Sequence, residues 1–396
     1  MVPWGFAGID MTSISPAEPI AEPRLPATRL LWFLIFRLAR ALGSWWDWWF
    51  GLVSLLLVLA ILTTIPIVQL LTLGYLLESG ARVASTGRLR DGFIGIRQVS
   101  RLGSVALGSW LLLWPVRYVS DIWYSSYLIA PGSSETTGWL IFLLVLLVLI
   151  LVQIAWACFR GGRLRHFFWP APLRMKRELF LRGKYVRCRD GVWDFVSTMR
   201  LGYYFVRGWQ GFLGAAIWLL VPILLFIGAT VFPYPLGLLS GITGTGLLCF
   251  VLPKLPFLQL QAAVEGNLKA TLNTRYIRKL SGRAPLMFSL AITVTLTFAL
   301  PLYLLKIELT PREVFVLPSL VFVVFSFPSR LLTGWALSRA YRHPQRRHFV
   351  FRWMSRLLSI SVVAAYVLFI FFTRYTSWYG HWSLLEQHAF IVPVPF

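Results

Sequence analysis

The sequence predicts an all-α fold, a polytopic transmembrane helical bundle of about eight spans with interfacial amphipathic helices. Three observations carry this. The 396 residues are 57% hydrophobic and only 13% charged, against about 25% charged in soluble domains. The segments Phe50–Leu77, Gly138–Phe159 and Gly208–Pro253 contain no charged residue, and roughly 20 apolar residues suffice to cross a bilayer as a helix. Finally, the segments between apolar runs alternate between strongly basic and nearly uncharged.

In chain order, residues 1–28, with Pro3, Pro16, Pro19, Pro23 and Pro26, read as a flexible tail. No charged-then-apolar secretory pattern is present, so targeting is expected to fall to the first membrane helix. Residues 29–49 read as an interfacial helix. Arg37 and Arg40 interrupt its apolar face, and Trp45, Trp46, Trp48 and Trp49 form a cluster suited to headgroup depth. A full crossing by this stretch is the alternative. The bundle then occupies 50–374, with spans near 50–77, 102–129, 138–159, 209–232, 235–258, 285–306, 314–337 and 357–374. Pro66, Pro115, Pro222 and Pro301 fall inside spans and predict kinks. Phe232-Pro233-Tyr234-Pro235 is the turn that divides the longest uncharged run. Residues 375–396 read as a C-terminal tail.

The basic loops are 78–101, 160–208, 259–284 and 338–356, while 130–137 carries only Glu135. By the positive-inside rule the basic loops face the cytoplasm, here of a bacterial inner membrane. Eight spans place both termini outside. Arg24, Arg29, Arg37 and Arg40 pull the N-terminal flank the other way. The net charge of +23 is accounted for by these loops, and nucleic acid is not expected as a partner.

Two pairs of segments suggest an internal repeat. Leu70-Leu71-Thr72-Leu73-Gly74-Tyr75 matches Leu331-Leu332-Thr333-Gly334-Trp335, and Pro66 to Leu70 matches Pro256 to Leu260 as Pro-x-x-Gln-Leu. The implied unit is a descending span, a basic interfacial segment and a returning span. Gly74-Tyr75-Leu76-Leu77-Glu78 together with Gly87-Arg88-Leu89-Arg90-Asp91-Gly92-Phe93 resembles segments of bacterial multi-pass membrane families that have repeated spans and basic cytoplasmic loops. No activity is assigned to those families, so the resemblance implies architecture alone.

Arg117 and Asp121, four apart in one span, predict an intramembrane ion pair. They are either a relay or a self-neutralising pair near the outer boundary, where Trp114, Trp123 and Tyr124 suggest interface depth. In the loop 160–208, arginine alternates with aromatics, and Arg182, Lys184, Arg187 and Arg189 are expected to contact anionic lipid. Lys254 reads as a snorkelling cation, and Gln69, Gln153, Gln259 and Gln261 as cross-helix hydrogen bonders. Gly237–Gly241 is a GxxxG. Asp91-Gly92 and Asp190-Gly191 resemble the start of the CDP-alcohol phosphotransferase signature, but the further aspartates and the Ala-Arg of that signature are missing. The histidines and cysteines have no metal or redox spacing, and no Walker A, GxGxxG or GxSxG motif occurs. No catalytic residue, metal or cofactor is therefore expected. The sequence points to a non-enzymatic membrane component whose basic face engages anionic lipid or a partner protein, or a second copy of itself. A carrier or permease-type transport subunit is the alternative.

Overall fold

The computed structural model describes residues 27–169, 194–305, 316–377, 380–385, 387 and 389–391. Among them there is no strand. The chain divides into two compact units, Met1–Asp47 and Trp48–Phe396. Helix α1 (Ala27–Thr64) begins in the first unit, where Arg40 lies over the Phe36 ring at 4.4 Å and the Trp45 and Trp46 side chains are exposed. The second unit is the bundle. Among the described residues, seven helices are long and apolar enough to cross a membrane, or eight when the bent pair Leu236–Val251 and Leu255–Glu265 is taken as one span. The protein is a multi-pass integral membrane protein.

The first apolar run departs from the expected single span over 50–77. Helix α1 stops at Thr64 and α2 (Gln69–Thr86) starts after a four-residue break. Pro66 occupies that break, and Ile67 takes φ 68°, a left-handed conformation that cannot continue a helix. The chain then reverses. Thr72 Oγ1 donates to the Leu59 carbonyl at 3.1 Å, and Trp48 packs edge-on against Phe93 at 5.6 Å. Residues 48–93 are thus a hairpin that leaves and returns at the same end of the bundle.

Helix α2 is the centre of the bundle, buried along most of its length between α6 (Leu201–Val231) and α12 (Val316–Arg342). Glycine makes this approach geometrically feasible. A Cβ at Gly74 would overlap the Tyr204 carbonyl oxygen of α6, and one at Gly208 would overlap the Leu70 carbonyl oxygen. On the opposite face a Cβ at Gly80 would lie 2.8 Å from the Arg330 carbonyl oxygen. Helices in lipid gain little from burying apolar surface, so backbone contact through small residues is what holds them.

The second half of the proposed repeat differs at its start, where the chain bends instead of reversing, and resembles the first half at its end. Helix α7 (Leu236–Val251) and α8 (Leu255–Glu265) form one span bent by 46°, with Pro253 and Pro256 at the bend. Helix α2 ends on Gly87 at φ 73° and α8 on Gly266 at φ 72°. Each glycine leads through one extended residue into a 3₁₀ turn, Leu89–Gly92 and Leu268–Leu272. Each helix C-terminus also accepts from an arginine: Arg342 Nη2 donates to the Thr86 carbonyl at 2.7 Å, and Arg207 Nη1 to the Ala262 carbonyl at 3.5 Å. Positive charge at these C-termini opposes the helix dipole.

These ends, with α9 (Thr274–Ser281) and the start of α13 (Phe349–Thr376), gather the arginines into one basic end. Glu78 accepts there from Tyr203 Oη at 2.8 Å and from Arg82 Nε at 3.2 Å. Helix α10 (Pro285–Thr297) packs along α13 and α12 and breaks before α11 (Leu300–Leu305), next to Pro301. Helices α3 (Ile96–Ile129) and α4 (Ser134–Phe159) form an outlying hairpin with mostly exposed side chains, seated where Gly103 meets Ser54 of α1. Past α13, within the stretch read from sequence as a tail, the described residues 380–385, 387 and 389–391 pack on the bundle and bury Leu384 and Phe390.

Candidate anionic-headgroup site

Helix α9 is short and strictly two-faced. Ile277 and Leu280 are buried, while Arg275, Arg278 and Lys279 point outward. Asn273 starts it, its Oδ1 accepting from the Tyr276 amide at 3.1 Å. The two apolar residues pin the helix flat on the bundle, so its cations are held along one rim.

The opposite wall is the first turns of α13. Ser355 Oγ donates to the Pro285 carbonyl at 2.6 Å, and Ser359 Oγ to Ser289 Oγ at 3.2 Å. These bonds fix α13 against α10 and orient Arg352 and Arg356. The connecting loop is tied down where the Arg347 amide donates to the Gly282 carbonyl at 3.0 Å, which brings Arg346 to the mouth. Lys254 comes from the α7–α8 break, with its Nζ 3.0 Å from the Phe250 carbonyl.

Between these walls lies a cavity of about 640 Å³. Seven cationic side chains line it, Lys254, Arg275, Arg278 and Lys279 on one side and Arg346, Arg352 and Arg356 on the other, and no described lining residue is acidic. Its floor is apolar, built from Pro253, Pro285, Phe288 and Ile292, with Ile360 at the side. Phe288 is itself stacked on Phe257 at 4.0 Å. Two cations about 8 Å apart repel by about 0.5 kcal/mol even at the dielectric of water. Seven in one cavity therefore hold a positive potential that an anion relieves. A cationic rim above an apolar floor suits a molecule that is anionic at one end and hydrocarbon at the other.

The other expected residues fall elsewhere. Arg117 and Asp121 are on one face of α3, both exposed, and they do not come within ion-pair distance; the ion pair among the described residues is Arg82–Glu78. Arg182, Lys184, Arg187 and Arg189 lie outside the described residues. Gln153 Nε2 donates to the Phe167 carbonyl at 3.0 Å, and Gln261 bridges Tyr341 Oη and Glu265. The GxxxG is used: a Cβ at Gly241 would meet the Ala229 methyl at 2.9 Å where α6 and α7 cross. No set of three or more His, Cys, Asp or Glu able to hold a metal occurs among the described residues. His166, in the short helix α5 (Leu164–Phe168), has its pKa lowered by burial and by Arg160, Arg165 and Arg163 around it. The sequence held six of the cavity's seven cations in two separate basic loops and the seventh, Lys254, in the span before them; what it lacked was a sign that these loops meet. The two-faced spacing of 274–281 was the available signal.

No protein-family model, curated protein or solved structure matches the chain.

Proposed function

We propose that this multi-pass membrane protein is a non-enzymatic component of a bacterial inner membrane that holds anionic lipid on its basic, cytoplasmic face. The cavity between α9, α10 and α13 is the seat for the headgroup. One observation carries the reading: seven cations and no described acid converge on one cavity whose floor is apolar. A zwitterionic headgroup brings its own cation, which cancels most of the attraction. A soluble anion would leave the apolar floor bare. A phospholipid with net negative charge satisfies both, its phosphate on the rim and the start of its acyl chains on Phe288 and Ile292. Arginine predominates in the lining, and its planar fork pairs phosphate oxygens two at a time.

The experiment is photo-crosslinking. A benzophenone amino acid at Ile360 is irradiated in liposomes containing either radiolabelled phosphatidylglycerol or radiolabelled phosphatidylcholine. Adducts with phosphatidylglycerol in clear excess over phosphatidylcholine are expected. Equal adducts from the two lipids would mean that the cavity does not select charge.

A further inference from the structure

Arg330 stands about midway along α12 and is 3% exposed. No carboxylate among the described residues lies within ion-pair distance of it. Its Nη1 donates to Gln259 Oε1 at 3.0 Å and its Nη2 to the Ala389 carbonyl at 3.4 Å. Gln259 is fully buried and its Nε2 donates to the carbonyls of Gly211 and Phe390, each at 3.0 Å. Among the described residues, a full positive charge inside a membrane bundle thus meets two neutral oxygens, one of them from the C-terminal segment, which also supplies one of the two carbonyls that Gln259 Nε2 bonds.

That segment fits its seat imperfectly. Gln387, 1% exposed, satisfies its own Nε2 on the Leu384 carbonyl at 3.1 Å, and its Oε1 has no partner. The contact between the guanidinium and the Ala389 carbonyl is long for a charge-assisted hydrogen bond. One of the spans beside the charge is also interrupted: α7–α8 bends ahead of Gln259, while α12 runs unbroken through Pro328, two residues before Arg330. A broken span beside a buried charge is a feature that solute-binding membrane proteins use.

We infer that Arg330 and Gln259 form a second, internal binding site for an oxyanion, a carboxylate or phosphate group, and that the carbonyls of Ala389 and Phe390 are its resident stand-in. An oxyanion offers a full negative charge to the guanidinium and a further acceptor to Gln259 Nε2. Its arrival displaces Ala389 and Phe390 from the interior. This site is separate from the headgroup cavity, and neither reading depends on the other.

The test reads the position of the C-terminal segment in the full chain. Ala389→Cys is introduced with Cys158, Cys188 and Cys249 replaced by serine, and the protein is reconstituted in phosphatidylcholine vesicles. Labelling by a membrane-impermeant maleimide is timed in chloride, in inorganic phosphate and in acetate at equal ionic strength. Labelling is expected to be slow in chloride and at least ten-fold faster, in a saturable manner, with phosphate or acetate. Arg330→Gln is expected to abolish the dependence on anion, as is Gln259→Leu, which keeps the inference testable if the arginine variant does not fold. Acceleration by phosphatidic acid in the vesicles but not by buffer phosphate would assign the oxyanion to lipid. Labelling indifferent to all three probes, or anion-dependent labelling that survives both substitutions, would overturn the inference.

Discussion

Replacing Gly74 with alanine tests the backbone contact on which the centre of the bundle rests. The added Cβ would overlap the Tyr204 carbonyl oxygen and lie 2.8 Å from the Gly208 nitrogen. Both obstacles are helix backbone, so no rotamer change relieves them. Helices α2 and α6 have to part, by on the order of 1 Å, and a gap of that size forfeits a quarter to a half of each van der Waals well along the contact. The reciprocal contact, Gly208 on the Leu70 carbonyl, loosens with it. The loss falls in the range of about 1–3 kcal/mol seen for overpacked cores, and we expect the upper part of that range because the contact is backbone on backbone. The control is Gly246→Ala in α7, where a Cβ would meet nothing within 4 Å; it is expected to be neutral or to gain up to about 1 kcal/mol of helix propensity. The assay is thermal unfolding in detergent micelles, followed by tryptophan fluorescence. If Gly74→Ala unfolds at the temperature of the unsubstituted protein, α2 is not held as described.

Three further outcomes are expected. Arg342→Gln removes the donor from the Thr86 carbonyl and should loosen the end of α2 by on the order of 1 kcal/mol, read as faster amide exchange over 80–87. Trp218→Phe takes away the hydrogen bond from Nε1 to the Thr271 carbonyl at 2.9 Å and should cost about 1 kcal/mol of stability in the same unfolding assay. His166 should titrate below the ordinary histidine range by NMR, because burial and then Arg160 disfavour its charged form. The folded state thus binds its proton less readily than the unfolded state, so the histidine's contribution is present above the ordinary histidine pKa and is lost as pH falls through the lowered value. Arg160→Gln should move the titration back upward.

The membrane bundle was legible because long charge-free runs have no other stable home. The hairpin at 48–93 was not. Its apolar run is long enough for one tilted span, and Pro66 marks a kink as readily as a reversal; only the left-handed Ile67 and the contact of Thr72 with Leu59 decide it. Trp48 packs against Phe93 at the end where the basic segments gather. The Pro-x-x-Gln-Leu match pointed to two comparable helix ends, but the arginines that cap them, Arg207 and Arg342, come from helices far away in sequence. The same distance hid the cavity: Pro285 and Ser355 meet across 70 residues. Arg330 was a lone cation within an apolar span, a signal present in the sequence but overshadowed by the Arg117–Asp121 spacing, whose residues are exposed.

The most direct measurement of the central claim is the affinity of the cavity for an anionic lipid. Native mass spectrometry of the purified chain, titrated with phosphatidylglycerol, gives the dissociation constant. Arg278→Gln with Arg356→Gln removes one cation from each wall of the cavity. At about 1 kcal/mol for each basic residue, the pair should weaken binding by roughly 30-fold. Arg90→Gln with Arg97→Gln removes the same charge from exposed positions that do not line the cavity and should change binding little. If both pairs weaken binding equally, the lipid is held by the diffuse charge of the whole basic end, and the cavity is not its site.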